Sequence, residues 1–204
     1  MTPKEYRNIA IASVVFSVLA LSYMNTAMNS GEWIRSSGNE VGATPFSGLS
    51  MPAFQGILSQ GLWNKCMSVK KQGPISESFA SCSNLQKQDF VNDNSFGKLE
   101  GVQTLVVFSA FIILVGTLLI FITLGTEHRG VHIASIVFMA LGSALAIAAL
   151  CVYANYWKRS TMIQQQPVHY VMGWGQAVYI ASTIFAVLST ILAGVSLSTQ
   201  GKKI

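Results

Sequence analysis

Four stretches of this chain, residues 9–28, 102–126, 131–157 and 171–197, contain no Asp, Glu, Lys or Arg. Each reaches or exceeds the roughly 20 apolar residues that a helix needs to cross about 30 Å of hydrocarbon. Backbone N–H and C=O groups find no water inside a bilayer, so a spanning segment must satisfy them internally, as a helix does. Four transmembrane helices are therefore expected, the longer ones tilted or protruding into the headgroups. Composition agrees, since only 10% of the 204 residues are charged where a soluble domain carries roughly a quarter.

Lys4 and Arg7 ahead of the first run also fit a secretory signal peptide, with Ala27 near a cleavage point. The run is longer than the usual apolar region of about 7–15 residues, which favours a retained helix. Basic residues near the helix ends then set the orientation. Lys4, Arg7, Arg129, Lys202 and Lys203 fall on one side, whereas only Lys158 and Arg159 sit in the short loop on the other. The first side is expected to be cytoplasmic, with both termini, the turn 127–130 and the tail 198–204. Segments 29–101 and 158–170 are then extracellular loops. The net charge of +5 is not a nucleic-acid footprint, because no cluster of Lys and Arg interleaved with aromatics occurs.

The long loop is too small to hold a large core of its own, and segments of this size usually need a covalent staple. Cys66 and Cys82 are the two cysteines outside the apolar runs, and an oxidising exterior would pair them. Closing a loop of that size stabilises by about 3 kcal/mol in the chain-entropy model. The competing reading is two free thiols. Cys151 lies within the third run and is expected to be a small apolar core residue. Local pattern predicts strands over Glu32–Ser37, Gly61–Val69 and Phe79–Leu85, separated by turn-rich segments at Gly42–Pro52 and Lys71–Pro74.

Catalytic chemistry leaves no trace. An ionised residue inside a span would mark a transport or ion route, and none is present. His128, His132 and His169 are too scattered along the chain to ligate one metal. Phosphate-binding glycine loops and nucleophile–histidine constellations are also missing. No enzyme activity, cofactor or metal is expected. Small residues recur at four-residue spacing, as Ala140/Ala144/Ala148, Gly142/Ala146, Ala177/Ala181, Ala186/Thr190/Gly194 and Ser13/Ser17. Such rows let helices approach closely, either inside one bundle or between two copies. Trp33 and Trp63 pair an apolar body with one N–H donor. They suit either an anchor between sheet and bundle or a place in the core of the extracellular segment.

Trp33, then Gly61-Leu62-Trp63, Cys66 and Cys82, resembles the W…GLW…C…C signature of the claudin superfamily. That group comprises claudins, the peripheral and epithelial membrane proteins, and the calcium-channel gamma and AMPA-receptor regulatory subunits. Further matches support the resemblance: Trp33-Ile34-Arg35-Ser36 resembles the start of a claudin's first extracellular strand, Leu99 to Val107 the entry to its second helix, and Gly173-Trp174-Gly175 to Tyr179 the entry to its fourth. Gln103 stands where the family carries Arg, and the spacings between Trp33 and Trp63 and between the cysteines are long. The chain thus looks like a divergent, invertebrate-type member.

The resemblance implies an all-α membrane protein: a four-helix transmembrane bundle with a small extracellular antiparallel β-sheet between helices 1 and 2. It further implies a plasma-membrane protein of cell–cell junctions, associating with itself side by side and across the intercellular gap, and forming a paracellular barrier or ion-selective contact. Lys65, Lys70 and Lys71 are the candidate charges facing such a gap. Phe46, Leu49, Met51 and Phe54 are candidate contact residues. The auxiliary channel or receptor subunit is the alternative implied by the same superfamily, although the short tail ending Lys202-Lys203-Ile204 lacks the partner-binding ends common there.

Overall fold

The four apolar runs do become four long helices in the computed structural model, which describes residues 3–36, 54–71, 78–86, 93–126, 128–159, 162–163, 166–167 and 170–200. Helix α1 spans Pro3–Asn29, α2 Asp93–Gly125, α3 Arg129–Arg159 and α4 Trp174–Gln200. Each contains a stretch long and apolar enough to cross a membrane: Arg7–Asn29, Gly97–Gly125, Arg129–Asn155 and Trp174–Ser198. Only about a third of each stretch is buried by the other helices. Much of the rest is bulky and apolar, with Phe108, Phe111, Leu118, Val137, Ile184 and Ile191 all more than half exposed. A surface of this extent is not tolerated in water, so the helices require lipid around them. The chain is a multi-pass membrane protein.

Successive helices run in opposite directions, and the tight pairs are α1 with α4 and α2 with α3; contacts of α3 with α4 and of α1 with α2 close the ring. The close approaches use small residues. A Cβ at Gly116 would lie 2.9 Å from the Met139 side chain, and one at Gly142 would lie 2.6 Å from that of Ile113. Between α1 and α4 the contact is polar. Ser13 and Ser189 exchange hydrogen bonds, each hydroxyl donating to the other's carbonyl (2.9 and 2.8 Å), and Ser182 donates to the Ala20 carbonyl (2.9 Å). Each hydroxyl thereby avoids an unmet bond in a medium with no water to replace it.

One packing expectation is narrowed and another needs correction. Ala140, Ala144 and Ala177 are exposed on the outer surface, and the buried row of α3 is Met139, Gly142, Ala146 and Ala149. Four-residue spacing cannot tell which side of a helix is inward when both sides are apolar. Cys151, expected in the core, is likewise exposed and free, one position beyond a half-buried Leu150.

At one end of the bundle stands a five-stranded antiparallel sheet in the order β4-β3-β2-β1-β7. Its strands are β1 Ile34–Ser36, β2 Phe54–Gln60, β3 Asn64–Lys71, β4 Ser78–Asn84 and β7 Tyr170–Met172. The short pair β5 Met162–Ile163 and β6 Gln166–Pro167 forms a separate two-stranded element. Three boundaries differ from those expected. Gly61–Trp63 is a turn and not the start of a strand, and β2 carries no strict alternation that would have announced it. Val171 and Met172 belong to β7, pairing with Arg35 and Ile34, so α4 begins at Trp174. Helix α2 starts at Asp93, well before the apolar run, where Asp93, Asn94 and Ser95 are residue types that favour helix starts. The predicted turn segment Gly42–Pro52 and most of Lys71–Pro74 lie outside the described residues; Lys71 itself ends β3.

Candidate functional site

The sheet has one principal attachment to the bundle, and the signature residues build it. Helix α1 ends at Asn29, and the chain turns through Ser30–Glu32 into Trp33. The Ser30 amide donates back to the Ala27 carbonyl (3.2 Å), and the Glu32 amide donates to the Ser30 hydroxyl (3.1 Å). Trp33 is wholly buried. Its indole N–H donates to the Ala27 carbonyl (2.7 Å), while its ring lies 5.0 Å from that of Tyr153 on α3 and 5.1 Å from that of Tyr179 on α4. A single side chain therefore joins α1, α3 and α4. Burying a tryptophan of about 150–250 Å² at roughly 25 cal/mol per Å² stabilises by about 4–6 kcal/mol as an upper estimate.

The backbone of Trp33 holds the sheet as firmly as its ring holds the helices. The Trp33 amide donates to the Gln60 carbonyl at the end of β2 (2.8 Å), and its carbonyl accepts from Gly173 (2.8 Å) just after β7. The Gly175 amide donates to the Glu32 carbonyl (3.0 Å). Glycine is required around this segment because backbones meet there. A Cβ at Gly61 would strike the Ser30 carbonyl and the Gly31 backbone, one at Gly173 the Glu32 carbonyl, and one at Gly175 the Ser30 side chain. Glycines from two segments far apart in sequence, Gly61 and the pair Gly173 and Gly175, thus converge on the four residues that lead out of α1.

Trp63 is placed differently. The turn carrying it is closed by the Gly61 amide donating to the Asn64 carbonyl (2.8 Å), and the Leu85 amide donates to the Trp63 carbonyl (2.8 Å). Leu62 is fully buried, while Trp63 is 39% exposed and faces outward beside α2. Trp174, at the start of α4, is 49% exposed. Two outward indoles at the sheet end of the helices match the aromatic girdle of a membrane–water boundary. Of the two alternatives, the anchor between sheet and bundle describes Trp33, and Trp63, being exposed, does not take the place in an extracellular core.

Gln103, where the resembled family carries a cation, reaches the same turn. Its Nε2 donates to the Leu62 carbonyl at 2.6 Å. A neutral amide therefore serves as the donor from α2, and the contact needs no charge. Neither this bond nor the packing of two tyrosines around Trp33 is legible in the sequence. The signal available was the position of Gln103 on the outer turns of α2, too general to name a partner.

Cys66 and Cys82 are directly opposed on β3 and β4 and form the disulfide, with Cα atoms 4.1 Å apart. Cys66 lies against Gly31, so the staple extends the joint at Trp33 into the outer strands. Lys65, Lys70 and Lys71 all fall on β3, where Lys65 pairs in register with Gln60 and Ser83, Lys70 with Gln55 and Ser78, and Lys71 with Phe54. Phe54 opens β2. Phe46, Leu49 and Met51 lie outside the described residues. Among the histidines, His128 is exposed at the far end of the bundle, and His132 is buried with Nε2 donating to the Ala193 carbonyl (3.0 Å). His169 lies outside the described residues. Among the described residues no group of three or more His, Cys, Asp or Glu side chains could hold a metal.

No family model and no curated protein matches the chain.

Proposed function

We propose that this chain acts through contact and not through chemistry, as a claudin-like protein of cell–cell junctions whose sheet meets copies in its own and the neighbouring plasma membrane. The observation that carries this reading is the mechanical design of the sheet. It is fastened at one end to three helices through Trp33 and stapled by Cys66–Cys82. Its far edge, β4, is the sequence Ser78–Asn84, which has neither the charge nor the proline that usually discourages strand addition. Such a rigid platform with one receptive edge is suited to holding a partner in fixed register.

The disulfide supports an extracellular sheet, because such bonds persist in oxidising compartments. Exposed Arg7 and Arg129 at the opposite end of the bundle support a cytoplasmic location for that end and for both termini. In this reading Lys65, Lys70 and Lys71 on β3 set the charge of the paracellular path, which would then prefer anions by the same logic as charged rings in channels.

The test mixes cells that express a fluorescent full-length copy with cells that lack it. Enrichment is expected where two expressing cells touch and not where an expressing cell touches a naive one. Equal density at both contacts would overturn pairing across the gap and favour the auxiliary-subunit reading, to be pursued through a co-purifying channel or receptor.

A further inference from the structure

The outward face of α2 below the sheet is mostly lipid-facing apolar surface, but its upper end has a different character. Trp63, Glu100, Gln103, Thr104, Val107 and Phe108 line an open groove of about 510 Å³, within the roughly 300–1,000 Å³ usual for small-molecule sites. Polarity is graded along it. Glu100 comes first, Gln103 and Thr104 a turn further in, and Val107 and Phe108 a turn beyond. At 1.5 Å per residue the eight steps from Glu100 to Phe108 cover about 12 Å. A distance of that size is enough to cross the roughly 5–8 Å headgroup layer of one leaflet and reach the hydrocarbon.

The polar end of the groove carries one acidic side chain, the exposed Glu100, and shares its lining with the Trp63 indole. Carboxylate and aromatic face together are the chemistry that takes a quaternary ammonium. Trp63 is also held ready, its turn being bonded to α2 through Gln103 and to the end of β4 through Leu85. The backbone that presents the indole therefore loses little freedom on binding. An anionic lipid would bring its charge against Glu100. A second transmembrane helix is poorly matched, because close helix contact uses small residues, and the wall continues from Val107 and Phe108 to an exposed Phe111.

We propose that this groove binds one choline phospholipid, its trimethylammonium group against Trp63 and Glu100 and an acyl chain along Val107 and Phe108. The site does not depend on the junctional reading.

The test is native mass spectrometry of the full-length protein released from micelles holding equimolar phosphatidylcholine and phosphatidylglycerol with identical chains. One phosphatidylcholine per chain is expected, retained at least about fivefold over phosphatidylglycerol. Glu100→Gln should remove most of that preference, and Trp63→Leu should lower retention about fivefold. Thr104→Trp, at an exposed helical position, fills the groove and should abolish retention while the disulfide and thermal unfolding stay as in the wild type. Equal retention of the two lipids, preference for phosphatidylglycerol, or retention unchanged by Glu100→Gln and Thr104→Trp would each overturn the assignment. So would a photocrosslinker at position 104 that captures a protein helix, and no lipid, in native membranes.

Discussion

Trp33→Ala gives the most direct test of the joint between sheet and bundle. The substitution removes an indole packed on two tyrosine rings and its hydrogen bond to Ala27. Large-to-small changes of a buried tryptophan cost about 3–5 kcal/mol. The cavity would open between α3, α4 and the exit from α1, where backbone contacts at three glycines limit collapse. If about 4 kcal/mol falls on docking of the sheet, the undocked population rises by roughly a thousandfold, at tenfold per 1.4 kcal/mol. Trp33→Phe keeps most of the ring contact and loses the N–H donor, a bond with a net worth of about 1 kcal/mol. The Ala27 carbonyl retains the Ser30 amide, so the phenylalanine variant should show only about a fivefold change. Amide hydrogen exchange reads this directly, because the amides of residue 33, Gly173 and Gly175 are bonded only while the joint is closed. Their exchange should rise about a thousandfold in the alanine variant, with amides in the middle of α2 unchanged. Unaltered exchange at Gly173 and Gly175, or an equal rise throughout α2, would refute the view that Trp33 is a local joint.

Gly61→Ala should be more damaging than its size suggests, since the new Cβ meets main chain that cannot rotate away; loss of Cys66–Cys82 oxidation and of surface delivery are the expected readouts. Cys66→Ser, Cys82→Ser and the double variant should each lose about 3 kcal/mol of resistance to denaturant unfolding of the sheet, and a double variant much worse than either single one would argue against a shared bond. Ser13→Ala combined with Ser189→Ala should show a coupling of about 0.6–1.7 kcal/mol in a double-mutant cycle on bundle unfolding in detergent; simple additivity would mean that their exchanged bonds contribute nothing specific.

Several of the residues that carry the resemblance to claudins share one physical setting in the structure. Trp33, Gly61, Gly173 and Gly175 all surround the exit from α1, so the pattern is the imprint of one crowded joint. That explains why the motif is legible and why it does not specify a partner. Residues that fasten a sheet to its base are set by packing, and packing carries no information about what the sheet would meet.

Span number, the disulfide partners and the need for lipid were readable from the chain alone, because each follows from local chemistry: uninterrupted apolar length, two cysteines outside the membrane, and too few charges. The tertiary structure decided everything that depends on which surfaces face each other. Apolar periodicity could not separate the lipid-facing row of Ala140 and Ala144 from the buried row of Gly142 and Ala146, since lipid and protein interior are equally apolar solvents. Nor could it assign Val171 and Met172 to β7, as their pairing partners lie in β1, far along the chain. The bond from Gln103 to Leu62 and the tyrosines around Trp33 join segments distant in sequence, and only the packed chain brings them within reach.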